Sequence, residues 1–107
     1  MIKFRNDMRT LREETAKEGL GHFEEKRVGK FDADDLTEAD MEIWEEYQNL
    51  TLSEEELKKP ENLETAQNFS LRLQHYGAVI AEYGKPAQKM LASYIINKMA
   101  GKLPLLP

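Results

Sequence analysis

Cysteine is absent from this chain, and histidine occurs only twice. The first absence excludes a disulfide scaffold, a thiol nucleophile and a zinc ribbon. The second leaves little for proton transfer or metal binding. His22 and His75 lie in different segments and complete neither His-x-x-x-His nor His-Glu-x-x-His. No hydrophobic run approaches the ~20 residues that span a bilayer. Ser53, Ser70 and Ser93 stand outside any Gly-x-Ser-x-Gly context, and Gly19 and Gly21 lack the Lys-Ser/Thr of a phosphate-binding loop. The acidic run from Asp32 to Asp35 fails as a calcium loop. Leu36, Thr37 and Ile43 occupy the places that need an oxygen ligand, a glycine and a glutamate. β-branched residues are few and never alternate for long, so no strand is expected. Taken together, these gaps argue against an enzyme and call for no cofactor and no metal.

The residues present describe one soluble helical domain. The chain has 107 residues, 40% of them hydrophobic and 33% charged, enough for a single modest core. Its net charge of −5 hides a strong segregation. Residues 1–31 carry +2, residues 32–64 carry −11 and residues 65–107 carry +4. Acids follow the basic start Met1–Arg5 where an apolar stretch would mark a leader, and a cytoplasmic setting is expected.

Apolar residues recur with the helical period throughout. Phe4, Met8, Leu11 and Thr15 make a thin stripe on a polar helix from about residue 2 to 18, which Gly19 and Gly21 end. This segment, residues 1–20, could stand apart as an arm. Thr37 with Asp40 forms a near capping box, with Leu36 and Met41 as its hydrophobic staple. The helix it starts should reach Leu50, with Ile43, Trp44, Tyr47 and Leu50 on its apolar face. Ser53 with Glu56, and Leu52 with Leu57, repeat that grammar for a short helix that Pro60 stops. Both starts place acids in a first turn, where the helix dipole favours them.

A long helix is expected from Asn62 or Leu63. Ala66, Phe69, Leu73, Tyr76, Ile80 and Tyr83 form an unbroken heptad seam on it. Gly84 then reads as a C-terminal cap and Pro86 as the first residue of another helix, which stops at Gly101. So short a connection predicts an antiparallel hairpin of about 63–83 and 86–100. The fold class expected is all-α, a bundle of four or five helices within a single domain, 1–107. Residues 102–107 form an apolar tail that either docks on the domain or meets a partner.

With catalysis disfavoured, the expectation is a small cytosolic protein–protein interaction module, an adaptor, inhibitor or assembly factor of bacterial or phage type. The acidic residues Asp32, Asp34, Asp35, Glu42, Glu45 and Glu46 would complement a basic partner surface, with Trp44 and Tyr47 as anchors. Five Met and four Tyr add to the types enriched at interfaces. The 66–83 seam is a second candidate contact, for a homodimer. The alternative is a nucleic-acid-associated protein using Arg72, Lys85, Lys89 and Lys98, although five bases over the last 43 residues is thin for that role.

Overall fold

A capping box opens one helix and a proline each of two others, and among the described residues four helices carry the fold. The computed structural model describes residues 2–18, 31–50, 54–57 and 59–103. We name its helices α1 (Ile2–Glu18), α2 (Glu38–Asn49), α3 (Pro60–Tyr83) and α4 (Pro86–Met99). A 3-10 turn at Ala33–Asp35 precedes α2, and a single helical turn at Glu54–Leu57 precedes α3. Among the described residues there is no strand. The fold is thus an all-α bundle ending in a helical hairpin, as the periodicity predicts.

The α2 start matches its signal closely. The Thr37 N–H donates to the Asp40 carboxylate at 2.7 Å, and the Asp40 N–H points back at the Thr37 hydroxyl at 3.5 Å. Leu36 and Met41 both pack on the core beside this box. The Ser53 box and the Leu52–Leu57 staple lie outside the described residues, as do Gly19, Gly21 and the tail 104–107. The long helix departs from expectation, since it begins at Pro60 rather than at Asn62 or Leu63. Proline has no N–H to satisfy and its φ is already helical, so it ends one helix and opens the next at the first position. The Asn62 side chain secures the junction by donating to the Glu56 carbonyl at 2.6 Å.

Gly84 and Lys85 alone join α3 to α4, both in extended conformation. Gly84 is not left-handed, with φ −74°. It is required for space, because a Cβ there would lie 2.5 Å from both the carbonyl oxygen and Cγ2 of Ile80. The left-handed glycine comes after α4, at Gly101 with φ 76°, and the turn folds Leu103 back into the core. Gly77 lets the two hairpin helices approach closely, since a Cβ there would sit 2.9 Å from Ile96 Cδ1.

One core runs through all four helices. Phe69, Leu73, Leu91, Ile95 and Met8 are fully buried in it, and Ile43, Trp44, Tyr47 and Leu50 close it from α2. Each of the larger side chains contributes about 1.5–3 kcal/mol by leaving water. From the thin α1 stripe, Phe4, Met8 and Leu11 all enter this same core. Trp44 Nε1 also donates to Asp7 of α1 at 3.2 Å, and Arg5 pairs with Asp34 of the 3-10 turn. Ala66, Phe69, Leu73 and Ile80 of the heptad seam are buried within this chain, while Tyr83 at its end is 76% exposed. The seam is therefore occupied by the chain's own side chains over most of its length.

Candidate functional site

Burying one face of α2 and one face of α3 leaves a groove between their flanks. Ala39, Glu42, Ile43 and Glu46 follow the i, i+3, i+4, i+7 spacing that lines one side of a helix. Leu71, Arg72, His75 and Tyr76 face them from α3. The groove encloses about 400 Å³. Ile43, buried, and the part-buried Tyr76 ring lie on its inner side, while Leu71 is 55% exposed on its rim. Arg72 spans the walls, donating from Nε at 3.0 Å and Nη2 at 2.7 Å to one oxygen of Glu46.

Behind the groove lies a fully buried carboxylate. Asp40 is wholly inaccessible, and its carboxylate takes four hydrogen bonds. Thr37 donates twice, from its N–H at 2.7 Å and its hydroxyl at 2.9 Å. Gln88 Nε2 of α4 donates at 3.0 Å, and the Tyr76 hydroxyl of α3 donates to the other oxygen. Gln88 is itself oriented by the Lys85 N–H, which donates to its Oε1 at 2.8 Å. One carboxylate thus ties the start of α2 to both helices of the hairpin. Burial holds the Tyr76 hydroxyl well above the ordinary tyrosine value of 10.0, and its hydrogen bond to the Asp40 carboxylate and that group's charge push the same way. Among the described residues, no buried side-chain nitrogen or oxygen lacks a partner.

The acidic residues singled out from sequence separate into distinct places. The Asp32 carboxylate accepts the Asp34 N–H at 2.9 Å and caps the 3-10 turn, while Asp34 holds Arg5. Asp35 is half-buried, and Glu42 and Glu45 are exposed on α2. Only Glu42 and Glu46 of that set line the groove. Trp44 and Tyr47 lie in the core, clustered with Tyr94 at ring separations of 5.3–6.2 Å. Burial raises the Tyr47 hydroxyl pKa, partly offset by a hydrogen bond with Tyr94 and reinforced by the charge of Glu14. Met8, Met90 and Met99 are buried as well. Among the described residues, the large apolar groups that do face outward are Leu63, Leu71, Val79 and Tyr83, all on α3.

The basic set is also dispersed. Arg72 is committed to Glu46, and the Lys98 ammonium sits 5.4 Å from the Tyr94 ring centre. Lys85 and Lys89 stand at the start of α4. A second cleft, of about 440 Å³, separates α1 from the 3-10 turn, and its Arg5, Arg9 and Arg12 confront Asp32 and Asp34. There Arg12 stacks 5.5 Å from the Phe31 ring centre. Among the described residues no group of three or more potential ligands could hold a metal ion, and His22 lies outside them.

Sequence reasoning missed Leu71, Ile43 and Tyr76 as a shared surface. The available signal was Leu71 itself, an apolar residue lying off the heptad seam on an otherwise polar helix face. No family model matches the chain, and no curated protein or solved structure is detectably similar to it. Among the described residues no helix is long and apolar enough to cross a membrane.

Proposed function

We propose that this chain is a small protein-interaction module that acts by binding rather than by catalysis, through the groove between α2 and α3. It would serve in the cytosol as an adaptor, inhibitor or assembly factor. The observation that carries the reading is the placement of Leu71. A single exposed leucine is ordinary on a protein surface. This one is 55% exposed beside Ile43 and Tyr76 in an open groove, while Phe69 and Leu73 on either side of it in α3 are buried. An apolar groove with polar edges is the form in which helical domains receive partner segments. Trp44 and Tyr47 are buried in the core towards α1 and α4 and are not part of this surface.

The test is site-specific photocrosslinking in the native cells. A photoreactive side chain at position 71 should yield a discrete protein adduct, and one at Asn97 on α4 should not. The adduct should disappear when Ile43→Ala is added. The absence of any adduct specific to position 71, or adducts shared equally with position 97, would refute the reading.

A further inference from the structure

We infer that the occupant of this groove is an amphipathic helix of another protein carrying Lys or Arg along its edges. The inference rests on the groove reading above and adds the chemistry of the partner. The shape argues for a helix. Both walls are helices, and a third helix laid between them would meet their i, i+4 ridges as helices in bundles do. The volume of about 400 Å³ falls at the lower end of the ~300–1,000 Å³ typical of binding clefts. It suits a few apolar side chains of an i, i+3/i+4, i+7 stripe rather than a whole folded domain.

The charge around the groove selects the edges of that helix. Arg72, the cation lining the groove, is already neutralised by Glu46. The exposed charge lining it on α2 is Glu42, and Glu38 and Glu45 lie beyond Glu42 on the exposed face of the same helix. On α3, Glu64, Leu71, His75, Ala78 and Glu82 fall at i, i+7, i+11, i+14 and i+18, one line along the helix. A carboxylate therefore stands at each end of this line, on either side of Leu71. None of these five glutamates makes an ion pair among the described residues. An acidic or phosphate-bearing partner would meet a surplus of like charge here, since the one lining cation, Arg72, is already paired. A second copy fares no better, because antiparallel pairing across α3 would bring Glu64 of one chain towards Glu82 of the other. A helix with basic edges is the complementary occupant, steered by the rim and seated by Leu71.

The test is selection of displayed helices against the full-length chain. The library fixes an apolar stripe and randomises the flanking positions among Lys, Glu and Gln. Helices retained by the wild-type chain should be enriched in Lys at the edges and lost on Leu71→Asp. Their binding should weaken about tenfold with the Glu42→Lys/Glu45→Lys pair, as reversal of one rim charge and one beside it implies. Leu71 is exposed, so Leu71→Asp should keep its melting temperature within about 3 °C, and Leu71→Ala provides a second, milder variant. Retained helices that need Leu71 but show neutral or acidic edges would overturn the partner chemistry and leave the groove standing. Helices retained equally by Leu71→Asp, or no retained helix at all, would overturn both.

Discussion

Replacing Asp40 with alanine removes, in one step, the acceptor that joins three helices. Its Thr37 donors lie at an exposed residue and can turn to water. The Tyr76 hydroxyl and the Gln88 amide are part-buried and cannot do so freely. An unsatisfied buried donor costs about 1–3 kcal/mol, and losing a helix cap interaction about 1 kcal/mol more. We therefore expect Asp40→Ala to destabilise the fold by about 3–5 kcal/mol, against a total of about 5–15 kcal/mol for a domain. Asp40→Asn keeps an acceptor and should cost about half as much. Tyr76→Phe alone removes a hydrogen bond to a charged group and should cost about 1.5–3 kcal/mol. In the Asp40→Ala background the same change should cost almost nothing, since the orphaned hydroxyl disappears. Urea unfolding followed by the fluorescence of Trp44, the only tryptophan, measures the wild type and all four variants. Additive effects, with a coupling energy below about 0.5 kcal/mol, would refute the network as the link between α2 and the hairpin.

Three further outcomes follow from the same packing. Tyr76 and Tyr47 have folded-state pKa values above the ordinary 10.0, so their contribution is intact below pH 10 and is lost as pH rises beyond it. Each tyrosine that ionises only in the unfolded chain should steepen the loss by about 1.4 kcal/mol per pH unit, and urea midpoints between pH 9 and 11 should fall less for Tyr76→Phe than for the wild type. Gly84→Ala forces a Cβ to within 2.5 Å of the Ile80 carbonyl oxygen and should destabilise by about 1–3 kcal/mol, which a thermal melt reads directly; an unchanged melt would show the hairpin turn to be slack. Met8→Ala empties a fully buried site on α1 and should cost about 2–5 kcal/mol in urea, whereas a loss below about 0.5 kcal/mol would mean that α1 is not part of the core.

Much of the fold was legible because its signals are short-range. The Thr37–Asp40 box and the Pro86 start are decided within a few residues, and both are found where the pattern puts them. The Ala66–Phe69–Leu73 seam likewise faces inward. The α3 start is less legible, because Pro60 can be read either as a stop or as a first residue. The site was far less legible. Asp40 looks like any capping acid, and nothing near it in sequence announces Tyr76 or Gln88, 36 and 48 positions away. Trp44 and Tyr47 belong to types found equally in cores and at interfaces, so composition could not say which way they face.

The sequence by itself determined the helices, their caps and the hairpin connection, because backbone hydrogen bonding, proline geometry and the 3.6-residue period act locally. It also determined the uneven charge, with the acids concentrated in residues 32–64. Tertiary structure decided what those residues do. It turned Asp40 from a cap into a buried junction, withdrew Trp44 and Tyr47 into the core, and tied Glu46 to Arg72. It left Leu71 outside, between two helices whose buried faces were already satisfied. The physical reason is that burial is a property of the assembled layers. A helix can present one stripe to the core, and only the packing of its neighbours settles which apolar residue remains on the surface.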